Sequence, residues 1–125
     1  MHGRSEDIPL AIEAGATWSR TAEWGDMSVA FEAIAAGTDT AQMFEGLPDG
    51  RCQSRHWGYV LKGRLRVTFA DHEEIIGAGE AYYLPAGHNT LVEEDAELVE
   101  FSPREEYRPT QETSAEALTG AQPGD

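Results

Sequence analysis

His56-Trp57-Gly58-Tyr59-Val60-Leu61-Lys62-Gly63 is the stretch on which the fold turns. Together with Ser54 and Arg55 it reads as a strand closed by Lys62-Gly63, a turn pair in which glycine permits a backbone reversal. Arg64 to Ala70 follows as a second strand, with Leu65, Val67 and Phe69 on one face and Arg66 and Thr68 on the other. That period of two marks a half-buried strand. Asp71-His72 is a turn before Glu74-Ile75-Ile76, and Gly77-Ala78-Gly79 breaks the chain again. Ala81 to Leu84 then runs into Pro85-Ala86-Gly87, and Asn89 to Val92 and Glu97 to Phe101 complete the series. Ser102-Pro103 ends it.

Upstream, Met27 to Ala35 alternates, with Met27, Val29, Phe31 and Ala33 on one parity and Ser28 and Glu32 on the other. Gly37-Thr38-Asp39 is turn chemistry, Gln42 to Glu45 reads as a short strand, and Gly46-Leu47-Pro48-Asp49-Gly50 is a firm break. Short strands punctuated by Gly and Pro at close intervals predict an all-β sandwich or barrel. No repeat of solenoid or propeller length is visible. The expected organisation is an N-terminal arm over residues 1–26, a barrel over 27–103 and a flexible, polar, acidic tail over 104–125. One helical turn around Ser114 to Leu118 is the only structure expected in that tail. The expected core holds Val29, Phe31, Val60, Leu65, Val67, Phe69, Tyr82, Leu84, Val92, Val99 and Phe101.

The chain has 125 residues, which leaves room for one domain and little more. Apolar residues make up 40% of it, enough for a folded globule. Nine Lys and Arg stand against 23 Asp and Glu, a formal net charge of −14. Such a balance repels phosphate backbones and anionic lipid surfaces, so neither nucleic acid nor membrane is an expected partner. Arg51, Arg55, Lys62, Arg64 and Arg66 gather near the first motif, predicting a barrel mouth or dimer face less acidic than the average. Cys52 is the only cysteine, so no internal disulfide can form. That use of cysteine, with no charged-then-apolar leader, points to a cytoplasmic protein.

Two stretches resemble the cupin family. His56 to Gly63 is similar to the end of the first cupin motif, in which a Glu, six residues and a Gly succeed one another. Gly79, Pro85 and Gly87 match the second motif, which runs Gly, five residues, Pro, any residue, Gly. The two lie on adjoining hairpins, as cupins place them, and the resemblance covers residues 27–103. It implies a double-stranded β-helix, the jelly-roll barrel, with ligand or metal held inside. With Gly63 as anchor, the family's histidine slots fall on Gly50 and Cys52, its Glu slot on His56, and its fourth slot on Thr90, with His88 just after Gly87. The family's four ligands are therefore not reproduced, and Cys52 and His56 fill ligand slots with altered chemistry.

Cys52, His56 and His88 form the candidate site. Thiolate and imidazole are what Zn²⁺ takes, and imidazole also suits Fe, Ni and Cu, so a divalent metal with an open position is one expectation; no organic cofactor is implied. The alternative is a metal-free pocket, with His56 hydrogen-bonded to a polar neighbour and Cys52 a small buried filler. His56 and His88 are then the candidates for proton transfer. Trp57, Tyr59 and Tyr82 make either a platform for a flat ligand or an outer face packed on another sheet or subunit. Outward aromatics favour a homodimer. Glu93-Glu94-Asp95 with Glu97 reads as a solvated hairpin tip. The functional expectation is a cupin whose barrel lumen holds a small organic molecule, with or without a divalent metal. The alternative is an enzyme (oxygenase, isomerase, decarboxylase or cyclase) using Cys52, His56 and His88.

Overall fold

A computed structural model describes residues 1–120 and shows a single antiparallel sheet of seven strands rolled into a jelly-roll barrel. In chain order the elements are β1 (Leu10–Ala14), β2 (Thr17–Trp24), β3 (Met27–Ile34), α1 (Thr40–Met43), β4 (His56–Thr68), β5 (Glu73–Gly77), β6 (Ala81–Leu84), β7 (Asn89–Pro103) and α2 (Arg104–Thr119). Strand order is β1-β2-β3-β7-β4-β5, with β6 paired to the first half of β4. All pairings are antiparallel, which lets short turns make most of the connections.

The barrel is built around two long strands, β4 and β7, each of which sequence reading divides in two. The reason lies at Gly63. Its φ is +88°, and a Cβ there would overlap the carbonyl oxygen of Asp95. Glycine at this point makes a bulge, not a chain reversal: the β4–β7 register shifts around Lys62 and Arg64 while both strands continue. The bend lets the first half of β4 pair with β6 and the second with β5. The 93–97 segment is therefore strand rather than hairpin tip, and Glu93 bridges Arg64 and Arg66 at 3.0 Å each.

The expected arm is part of the sheet. Tight turns at Gly15-Ala16 and Gly25-Asp26 join β1 to β2 and β2 to β3, and Ile8 and Ile12 are buried. Gln42 to Glu45, expected as strand, lies in and just beyond the short helix α1, whose N-cap Asp39 accepts a hydrogen bond from Ala41 N. The expected mobile tail also differs. Residues 104–119 form α2, favoured by Glu105 and Glu106 in its first turn and ended by Gly120 in the left-handed conformation. It buries Tyr107 and Thr110 and is tied to the barrel by Arg55–Glu106 (2.7 Å) and by Gln111 donating to Thr21 Oγ1 (2.9 Å). The tail residues 121–125 lie outside the described range.

A core of Val60, Leu65, Val67, Ile76, Leu84, Val92, Ala96 and Leu98 fills one part of the barrel. Each large member contributes about 1.5–3 kcal/mol on burial. Val29 is buried as expected, but the side of β3 and β7 that meets the lumen is the opposite parity from the expected one. In β3 the lumen side carries Glu32 and Ile34, and in β7 it carries Leu98 and Glu100. Val99 and Phe101 consequently fall on the outer face, where Phe101 is 38% exposed beside Trp57 at 39%. Phe31, paired with Val99, shares that outer face and is only half-buried. No described helix is long and apolar enough to cross a membrane.

Candidate functional site

The barrel encloses a cavity of about 120 Å³, large enough for a small organic molecule. Strands β1 to β4, β6 and β7 supply its walls, and Phe44 from beside α1 and Tyr107, Thr110, Ser114 and Leu118 of α2 close it. These four α2 positions recur at helical spacing, a signal present in the sequence that the tail's acidity obscures.

Cys52, His56 and His88 come together here, as the motif reading expects. Their ligand atoms lie within 4.8 Å of one another, and all three residues are buried. The backbone makes this happen. An isolated bridge pairs Cys52 with His88, Cys52 N donating to His88 O at 2.9 Å, and Gly87 N donates to Cys52 O at 2.8 Å. His56 begins β4 and projects to the same side, its Nε2 lying 3.3 Å from Cys52 Sγ. The two imidazoles meet edge to face, with centroids 5.1 Å apart.

The outer nitrogen of each ring is occupied. His88 Nδ1 faces the carbonyl of Pro85 at 2.8 Å, and a carbonyl only accepts, so the proton sits on Nδ1 and Nε2 carries the lone pair. His56 Nδ1 lies 2.6 Å from Ser102 Oγ and 3.5 Å from Glu100 Oε2. A neighbouring carboxylate favours the same tautomer. Both rings thus leave Nε2 unprotonated, and His56 turns its Nε2 toward the thiol, the arrangement in which metal-bound histidines are held by their second nitrogen. Without a metal, the Cys52 S–H is placed to donate to His56 Nε2.

Burial dominates the local acid–base chemistry. It lowers His56 to about 4 and, aided by the nearby charge of His56, His88 to about 4. Both are neutral at physiological pH. Burial likewise pushes the Cys52 thiol up to about 11, against the opposing hydrogen bonds of Thr110 and Ser54. The histidines are in the form a metal requires, while the thiol must give up its proton on binding. Neutral imidazoles this far below neutrality are weak bases, which favours a ligand role over proton transfer.

The same cavity holds residues that the sequence reading misses. Glu100 accepts a hydrogen bond from Tyr82 OH at 2.8 Å, and Glu32 stands diagonal to it across β3 and β7, where Ala30 pairs with Glu100 and Glu32 with Leu98. Burial raises Glu32 to about 8, with Glu100's charge adding to the rise and the adjacent Ser19 hydroxyl opposing it. Burial also raises Glu100 to about 7, with Tyr82's hydrogen bond opposing. Tyr82 can occupy the lumen because Gly58, its cross-strand partner, has no Cβ; one placed there would overlap the phenol. Of the three aromatics considered together, Tyr82 points in, while Trp57 and Tyr59 lie outside with Tyr83, whose ring sits 5.0 Å from that of Trp57.

The clustered basic residues do not reach the cavity. Arg55 pairs with Glu106, Arg64 with Glu93 and Glu94, and Arg66 with Glu73 and Glu93. No Lys or Arg lines the lumen among the described residues.

Comparison with known proteins agrees with this architecture. A family model described as a cupin domain matches residues 52–102. No protein of curated function matches the chain in sequence. Among solved structures, KdgF from Halomonas sp. is similar with a TM-score of 0.61 at 17% identity, over 83% of this chain and 95% of that one. An RmlC-like cupin from Shewanella frigidimarina superposes with a TM-score of 0.58 at 13% identity, over 81% of this chain and 88% of that one. Oxalate decarboxylase from Bacillus subtilis gives a TM-score of 0.59 at 17% identity, over 82% of this chain but 30% of that longer one. A cupin-domain model thus matches the middle of the chain, and the fold of the whole is that of the cupin barrel.

Proposed function

We propose that the chain binds a small organic molecule in the barrel lumen beside a divalent metal held by Cys52 Sγ, His56 Nε2 and His88 Nε2. The observation that carries this reading is the pair of oriented imidazoles: each is tied down through Nδ1, which leaves Nε2 unprotonated, in a cluster whose ligand atoms lie within 4.8 Å of one another. A mixed sulfur and nitrogen set suits Zn²⁺, and three protein ligands leave a position at which a metal can polarise a bound group. The chain's own residues supply the rest. Glu100 and Ser102 orient His56, Pro85 orients His88, and α2 keeps bulk water from the cavity.

A second reading, catalysis, is favoured by that open position and by the acidic groups beside it. Decarboxylation of oxalate, the chemistry named for one structural neighbour, fits poorly. Oxalate is a dianion, and this lumen presents Glu32 and Glu100 with no Lys or Arg. The protein is further proposed to be cytoplasmic and a homodimer that covers the exposed face of Trp57, Tyr59, Tyr83 and Phe101. Trp57→Glu would then give a monomer in sedimentation, whereas a monomeric wild type refutes the dimer.

The test of the site is elemental analysis of protein purified without chelators, beside Cys52→Ser and His88→Ala. One metal per chain, lost in both variants, is expected. A wild type that neither retains nor takes up metal overturns the metal reading.

A further inference from the structure

The lumen contains an acidic corner beside the Cys52, His56 and His88 cluster, which draws on only one of its two acids, Glu100, through His56. Glu32 from β3 and Glu100 from β7 both line the cavity, diagonal to one another on adjacent strands. Tyr82 donates to one oxygen of Glu100, and the other lies 3.5 Å from His56 Nδ1, beyond a short hydrogen bond. No Lys or Arg reaches either carboxyl from the cavity wall among the described residues. A second, independent feature points the same way. Ser19 is 3% exposed and lines this cavity, and its Oγ is the one buried side-chain polar atom of the described residues with no hydrogen-bond partner. Orphaned buried hydroxyls are uncommon, because an unpaired one gives up its hydrogen bonds to water without replacement. Here one stands directly across β2 and β3 from Glu32, in a corner that no Lys or Arg enters among the described residues.

We propose that this corner receives the ammonium group of a small aliphatic amine, with Glu32 and Glu100 as counter-charges and Ser19 Oγ as a third acceptor. The inference rests on reading the lumen as a ligand site. An ammonium carries three donors and no acceptor, which matches a corner that offers acceptors without a cation. Charge-assisted hydrogen bonds are also the strong ones in a low-dielectric site. The apolar body of such a ligand would lie along Ile12, Ile34, Phe44, Leu98 and Leu118, which line the remaining wall. A carboxylate ligand would face two acids, and an alcohol could satisfy only part of the acceptor set.

The experiment titrates the full chain with n-butylammonium, butan-1-ol and butyrate, following the methyl resonance of Met43 in the cavity wall and measuring affinity by calorimetry. Butylammonium is expected to bind at least about tenfold tighter than butanol, with butyrate weakest. Glu32→Gln should remove that amine preference. Butyrate or butanol binding as tightly as the amine overturns the proposal while leaving the lumen as a ligand site, as does an unchanged amine preference in Glu32→Gln. No lumen response to any of the three overturns both readings. Should Glu32→Gln fail to fold, the wild-type ranking decides.

Discussion

Gly58→Ala tests how the lumen is assembled. The φ of Gly58 is not positive, so alanine fits the backbone, and replacing a strand glycine would on its own gain about 0.5–1 kcal/mol. Against that gain, the new Cβ falls on the Tyr82 phenol. Forcing an extra carbon into a packed interior costs about 1–3 kcal/mol, and losing the Tyr82 bond to a charged Glu100 costs about 1.5–3 kcal/mol. Part of the second cost is recovered if water reaches Glu100. Net destabilisation should be about 2 kcal/mol, roughly 5–10 °C in Tm for a domain of this size. Urea unfolding of wild type, Gly58→Ala, Tyr82→Ala and the double variant measures it. With Tyr82 absent, Gly58→Ala should be neutral or stabilising, giving a coupling of about 2 kcal/mol or more. A neutral Gly58→Ala in the presence of Tyr82, or an equal cost in both backgrounds, would refute the argument that this glycine exists to admit the phenol.

Two further outcomes follow from the bulge and the buried charges. Gly63→Ala meets both a positive φ and the Asp95 carbonyl, so it should cost about 2–5 kcal/mol, more than Gly58→Ala; a mild effect would show that the bulge can relax. Stability should also depend on pH in a particular shape. Glu32 and Glu100 titrate near 8 and 7 when folded and near 4.5 unfolded, so their contribution is full below 4.5 and is lost as pH rises through 7–8. His56 and His88 titrate near 4 folded and 6.5 unfolded, so theirs grows as pH rises from 4 to 6.5. The two trends oppose one another between 4.5 and 6.5, and above that only the acids act. The urea midpoint should be nearly flat from pH 5 to 6.5 and then fall, by about 1 kcal/mol per pH unit in ΔG, with a shallower fall in Glu32→Gln. A midpoint that holds or rises toward pH 8 contradicts the assignment of buried acids.

Much of the barrel is legible in two stretches, because a turn motif depends on local chemistry. Gly79 to Gly87 and His56 to Gly63 place β4, β6 and the start of β7, and with them Cys52, His56 and His88. Which face of a strand points inward is a different kind of fact. In β3 and β7 both parities carry apolar groups, and alternation alone does not say which set meets the lumen. Val99 and Phe101 look like core and lie outside, while Glu32 and Glu100, which look like solvent-facing acids, line the cavity. Acidic side chains are read outward by default, and the default fails at a site where they face a ligand space. The same bias hides α2, whose composition resembles a tail although Tyr107, Thr110, Ser114 and Leu118 share one face. Gly63 misleads for a geometric reason: a left-handed glycine serves a bulge as readily as a turn, and only the partner strand distinguishes them.

The central claim is that Cys52, His56 and His88 hold one metal inside the barrel, and titration of the metal-free protein with Co²⁺ under reducing conditions tests it most directly. The account predicts a thiolate-to-cobalt charge-transfer absorption that saturates at one equivalent. The absorption should be abolished in Cys52→Ser, and its apparent affinity should rise with pH because the thiol proton must leave. Saturation without that absorption, or no binding at all by a folded wild type, would contradict it.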